Sequence, residues 1–189
     1  MAKSLKILII DPSPAQKSLV SALLCAYQKN AQGSGAEIRK LNLIELAFDL
    51  SFGYKSEKGQ LEPAIIKAQK LLGLSEHMFL VYPNWWRTYS ALRKGFLDRT
   101  HLPGFAFKFL ENSPLRDKLL KERSAQLLVT IHMPSWYYTL SWNAASFHEK
   151  LYLRICGSLP INFHRIRNAT PEKRNLSLKQ AEAPGFRWQ

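Results

Sequence analysis

Unbroken aliphatic runs alternate with stretches of helical spacing along this chain. Lys6 to Ile10 reads Lys-Ile-Leu-Ile-Ile, Met78 to Tyr82 reads Met-Phe-Leu-Val-Tyr, and Gln126 to Ile131 reads Gln-Leu-Leu-Val-Thr-Ile. Short runs with little polar alternation predict strands buried on both faces. Ala36 to Leu43 alternates apolar and polar positions, with Ile38, Leu41 and Leu43 its apolar members, and predicts another strand. Ile161 to Ile166 predicts a last one. Between these runs, Leu19, Ala22, Leu23, Ala26 and Tyr27 recur at helical spacing and predict a helix over Ser18 to Lys29. Ile65, Ile66, Ala68 and Leu72 do the same over Glu62 to Leu72, with Pro63 tolerated in the first turn. Ser90 to Arg99 and Ala145 to Cys156 predict two further helices, the second closed by Gly157.

Strands alternating with helices imply right-handed crossovers and a mainly parallel sheet. Five strands with helices on both faces fit a three-layer α/β arrangement of flavodoxin-like type, strand order 2-1-3-4-5. Asp11-Pro12-Ser13-Pro14-Ala15-Gln16 is a loop, because two prolines delay the helix until about Lys17. Gly33-Ser34-Gly35 is a turn, and Phe48 to Gln60 has no clear period and predicts a surface loop. No repeat or low-complexity segment suggests a second unit, so residues 1–189 are expected to form one domain. Its polar and basic stretch from Asn168 is expected to be a short helix and a loose tail.

Composition narrows the class without changing the fold. A chain of 189 residues with 46% hydrophobic and 22% charged residues is that of a soluble globular protein. Cys25 and Cys156 are too few for a disulfide framework or a cysteine-rich metal site, and are expected to be reduced core residues in a cytoplasmic protein. Ile7-Leu8-Ile9-Ile10 is too short for a signal peptide, and no segment has the ~20 apolar residues of a membrane span. The net charge of +13 is the unusual feature. It is spread, with 15 basic and 8 acidic residues up to Lys108 and 12 and 6 beyond. That distribution argues for a solvated basic surface, compatible with dinucleotide phosphates, and against a nucleic-acid-binding face.

Candidate chemistry gathers after the strands. The segments following the first, third and fourth strands are Asp11 to Lys17, Pro83 to Tyr89 and His132 to Ser141. In open α/β sheets ligands bind at such carboxyl ends. The first precedes a helix N-terminus, where free N–H groups and the helix dipole favour a phosphate. Ser18 either caps that helix or bonds a phosphate, with Lys17 adding positive charge. Asp11 would repel a phosphate if it pointed inward. The glycine-rich nucleotide loops are missing, as is the Gly-x-Ser-x-Gly elbow of α/β-hydrolases. Trp85 and Trp86, matched by Trp136, Tyr137 and Tyr138, suit a flat conjugated ligand such as a flavin.

These residues carry a resemblance. The chain is similar to the flavodoxin-like NAD(P)H:quinone oxidoreductases, the smaller bacterial flavoprotein type in particular. Members typically read Tyr/Phe-Pro-x-Trp-Trp-Gly-x-x-Pro-Ala-x-Leu-Lys-Gly, then Asp-Arg and Pro-Gly-Phe-Ala-Phe. Tyr82-Pro83-Asn84-Trp85-Trp86, Ala91, Lys94-Gly95, Asp98-Arg99 and Pro103 to Phe107 match. The resemblance extends from Lys6 to about Lys173. Asp11 stands where the family usually has histidine, and Arg87 and Ser90 replace the glycine and proline after the double tryptophan. Ala144 falls at the position of the proton-relay histidine of the best-known quinone reductases.

The resemblance implies a non-covalent flavin, FMN or alternatively FAD, with NADPH or NADH as co-substrate. Ser18 and Leu19 would sit by the flavin phosphate, with Asp11 their neighbour. Pro83, Asn84, Trp85 and Trp86, then Arg87, would line the isoalloxazine edge. Thr130, Ile131 and His132 would pass near the ring. Tyr138 would contact flavin and quinone, stabilising the reduced quinone oxygen or moving a proton. The implied activity passes a hydride from NAD(P)H through flavin to a quinone or similar acceptor. A homodimer is implied too, and Phe105-Ala106-Phe107 would suit its contact. The alternative is a non-enzymatic, regulatory subunit of the same fold, such as the relatives ancillary to potassium efflux systems.

Overall fold

The computed structural model describes residues 4–13, 18–50, 61–85, 88–111, 115–131, 161–167, 170–172, 175 and 179, the stretch 161–167 by its backbone. The elements are β1 (Lys6–Asp11), α1 (Leu19–Gly33), β2 (Glu37–Asn42), α2 (Pro63–Leu74), β3 (His77–Pro83), α3 (Ala91–Thr100), β4 (Phe107–Phe109), β5 (Arg116–Lys118), β6 (Ser124–Ile131) and β7 (Ile161–Arg167). β2, β1, β3 and β6 lie side by side in that order, all parallel, and the backbone of β7 pairs in parallel with β6.

The strand pleat sorts side chains to two helix layers. Ile7 and Ile9 of β1 and Phe79 and Val81 of β3 pack with Val20, Leu23 and Leu24 of α1. Leu8, Ile10, Met78 and Leu80 point the other way and pack with Ala68 and Leu72 of α2 and Phe96 and Leu97 of α3. Both faces of β1 and β3 are therefore covered, which is why their sequences show no polar alternation. Tyr27 stacks on Phe79, ring centroids 3.6 Å apart and 5° from parallel. Burial pushes the Tyr27 phenol up to about 12.

The amino ends of three strands are tied through Glu76. Its N–H donates to Lys6 O at 2.9 Å, and its Oε2 accepts from Lys6 N at 3.0 Å. Its carbonyl accepts from Ser124 N at 3.0 Å. His77 Nδ1 and Ser124 Oγ are 2.6 Å apart beside it. Arg123 Nη2 donates to Gly73 O at 2.6 Å, fastening the end of α2 to the start of β6.

Several boundaries differ from the sequence expectation for physical reasons. α1 runs to Gly33 rather than Lys29, because Ala31 is still buried against the sheet. It ends with Ala36 N donating to Ala31 O, while Gly35 takes φ +80°, the left-handed conformation glycine adopts without a Cβ clash. β2 stops at Asn42, since Leu43–Glu45 turns into a short 3₁₀ segment. Cys25 is not a core residue: it is exposed, on the opposite side of α1 from the stripe that faces the sheet. The antiparallel β4–β5 hairpin has no counterpart in the sequence expectation. Phe105 and Ala106 fold inward at its base, so the exposed apolar side chains there are Phe109, Leu110 and Leu115. The expected helix at Ala145 to Cys156 lies outside the described residues.

Candidate active site at the carboxyl edge of the sheet

Register brings the candidate residues to one edge. Pro83 at the end of β3 pairs with Thr130 near the end of β6, and Ile10 pairs with Leu80, so Asp11 ends its strand on the same side of the molecule. Asn84 N donates to Thr130 O at 2.9 Å and carries the ladder one residue further. Trp85 and Thr88 then exchange two backbone hydrogen bonds of 2.9 Å each, and the Trp85 side chain is left half exposed.

The helix side of this edge is rich in hydroxyls. Ser18 caps α1, its Oγ accepting from Ser21 N at 3.1 Å. The same Oγ lies 3.2 Å from Ser13 Oγ and 2.9 Å from Ser21 Oγ. Three hydroxyls at the amino end of a 15-residue helix form a donor set suited to an anion. Asp11 is buried, but its carboxylate is engaged: Oδ1 accepts from Ser13 N at 3.0 Å and Oδ2 lies 3.6 Å from Lys40 Nζ. Its charge is thereby partly offset and held by the loop backbone. Leu19 packs its side chain on the α1 core, so its contribution at the helix start is confined to the backbone. Ile131 is likewise buried, clustered with Tyr82 and Val129 beneath the edge, while Thr130 is a buried polar group on the face opposite Ile131.

Asn84 is the residue that asks for a ligand. Both Oδ1 and Nδ2 are buried, and neither has a hydrogen-bond partner among the described residues. Burying two such atoms unsatisfied costs on the order of 1–3 kcal/mol each, so the position suits a group that both donates and accepts. An isoalloxazine edge does both, and the phosphate on a flavin nucleotide's ribityl chain suits the serine cluster. The residues present therefore fit a flavin phosphate ester. Trp86, Arg87, His132 and Tyr138 lie outside the described residues.

The sequence reading missed Arg93. This α3 side chain is 1% exposed. Its Cζ sits 3.9 Å from the centroid of the Tyr82 ring and 5.2 Å from that of Tyr89. Those two rings meet edge-on, 6.3 Å apart. Burial lowers the guanidinium's proton affinity, and the neighbouring tyrosine oxygens work against that shift. The signal was present: Arg93, Phe96, Leu97 and Thr100 form one buried helical stripe, and the family pattern reads leucine at the first of them.

A parallel sheet covered by helices, with polar groups converging at its strand ends, defines a doubly wound α/β protein with a ligand site at that edge. The family model described as flavodoxin-like fold matches residues 5–184, and the chain belongs to that family. A protein of Haemophilus influenzae described as an uncharacterized NAD(P)H oxidoreductase is 27% identical over 129 residues, 66% of this chain. The matched part spans 63% of that relative's length. Among solved structures, the NAD(P)H:quinone oxidoreductase from Methanothermobacter marburgensis superposes with a TM-score of 0.81 at 18% identity, covering 95% of this chain and 96% of that one. An FMN-dependent NADH-azoreductase from Bacillus anthracis, solved in complex with FMN, gives 0.70 at 15% identity, covering 94% and 96%. No helix among the described residues is long and apolar enough to cross a membrane.

Proposed function

We propose that the chain is a flavin-dependent NAD(P)H oxidoreductase that delivers a hydride to a quinone or similar small acceptor. The buried, unsatisfied carboxamide of Asn84 at the strand edge carries this reading. The serine cluster at the start of α1 supports FMN as the preferred flavin, with FAD the alternative. The names of the relatives point to the same chemistry.

The flavin, when bound, supplies the hydride chemistry. The chain's own residues bind and orient. Ser13, Ser18 and the α1 backbone hold the phosphate, and the loop from Pro83 holds the ring edge. The exposed Trp85 offers an apolar wall against which the nicotinamide and then the acceptor align in turn. Tyr138 is the proposed group that holds a proton at the acceptor oxygen. Two copies are proposed to pair through the exposed Phe109, Leu110 and Leu115 of the β4–β5 hairpin. The test is to incubate the purified protein with FMN or FAD, record its visible spectrum after gel filtration, and follow NADPH and NADH oxidation with a quinone. A yellow protein that oxidises either nucleotide only when the quinone is present is expected. A colourless protein after both incubations would overturn the reading.

A further inference from the structure

Arg93 supplies a charge to the site from below its surface. Tyr82, on which it stacks, pairs with Val129, one residue short of the Pro83–Thr130 pair that closes the β3–β6 register. Tyr89, its second neighbour, directly follows the Thr88 that hydrogen-bonds Trp85. Tyr82, Val129 and Ile131 cluster with Tyr89, so the cation lies directly under the edge where Asn84 and Trp85 begin. A guanidinium keeps its proton throughout the working range of an enzyme. Buried here, it is shielded from counter-ions, and its field reaches the edge through protein rather than water.

Resting on the flavin reading above, we propose that Arg93 is a positioning residue that biases the bound cofactor toward its reduced form. Reduction adds negative charge to the isoalloxazine ring, and a fixed positive charge beneath the edge favours that state over the neutral oxidised one. Leucine, the residue of the family pattern, would fill the same stripe on α3 without the charge. Lysine and leucine at this position tell two roles apart: charge and packing.

The experiment measures the midpoint potential of FMN bound to the wild-type protein, to Arg93→Lys and to Arg93→Leu, by anaerobic equilibration with a reference dye. Fluorescence titration gives the affinity for oxidised FMN alongside. Wild type is expected to hold reduced FMN more tightly than oxidised FMN, which appears as a potential above that of free FMN. In Arg93→Leu the preference for the reduced form falls about tenfold, the scale of one buried charge acting through a protein-like medium. Oxidised FMN binds as before, and Arg93→Lys retains most of the preference. A wild-type potential at or below that of free FMN overturns the inference without recourse to any variant. An Arg93→Leu protein that binds FMN at the wild-type potential overturns it as well, and leaves the flavin reading standing. Failure of the wild type to bind FMN removes both.

Discussion

Ser18 serves two masters, and one substitution separates them. As the α1 cap it satisfies Ser21 N, and as part of the hydroxyl cluster it faces the proposed phosphate. Aspartate caps a helix as well as serine does and suits the positive end of its dipole, but it repels an anion at the same place. Ser18→Asp is expected to keep the melting temperature while weakening FMN by at least about tenfold and leaving riboflavin, which lacks the phosphate, unchanged. Equal FMN affinity in thermal-shift and fluorescence titrations would remove Ser18 from the site. Two buried histidines contribute to the loss of stability in acid. Burial holds the imidazoles of His77 and His101 down to about 4. In the unfolded chain both titrate near 6.5, so between about 6.5 and 4 the unfolded state binds more protons. Stability is therefore intact above that window and falls with pH across it, by roughly 2 kcal/mol per histidine at pH 5. Urea unfolding of wild type and His77→Asn at pH 7 and pH 5 checks this, the variant losing distinctly less between the two. Equal losses would mean that His77 is not held neutral by the fold.

At the scale of elements, α3 shows where local and global demands meet. Gly95 is in mid-helix, which costs about 1 kcal/mol relative to alanine. A Cβ added there would lie 2.6 Å from Leu50 Cδ2, while the Leu50 backbone stands off at 3.5 Å. The Leu50 methyl is the far end of a flexible and half-exposed side chain, so it can swing aside. Gly95→Ala is expected to raise stability by up to about 1 kcal/mol in chemical denaturation, and a loss above that size would show that the loop at Leu50 is fixed. The core strands were legible because β1, β3 and β6 are buried on both faces and spell this in unbroken aliphatic runs. α2 and α3 were legible because Pro63 sits in the first turn of one and Ser90 caps the other. The β4–β5 hairpin was not: each strand is three residues long, and Phe107-Lys108-Phe109 is too short to show a period. Arg93 was passed over because a charged residue is ordinarily exposed; its helical spacing with Phe96 and Leu97 signalled burial, but the Tyr82 and Tyr89 rings that give it a site are placed only by the fold. Asn84 was placed at the edge by its motif, but its unsatisfied carboxamide follows from tertiary burial.

At the scale of the whole molecule, the most exposed large apolar side chains among the described residues are at the hairpin, where Phe109 is 64% and Leu115 68% accessible. Arg116 lies over the rings of Phe107 and Phe109, its Cζ 4.8 and 5.2 Å from their centroids, while Phe107 packs inward on Ala106 and Leu120 and meets Phe109 edge-on. An exposed apolar patch of that kind is the surface through which the proposed pairing would run. Light scattering after gel filtration is expected to give a dimer for wild type at micromolar concentration and a monomer for Phe109→Asp, and a monomeric wild type would sink the pairing. The tie through Glu76 has a different kind of consequence. It fastens β1, β3 and β6 at the end remote from the ligand edge, with bonds that use no residue of the candidate site. Strand register is thus anchored at the end remote from the ligand edge. With register fixed at that end, changes in the carboxyl-edge loops are expected to leave the strands in place, so the ligand end of the molecule is the part free to vary.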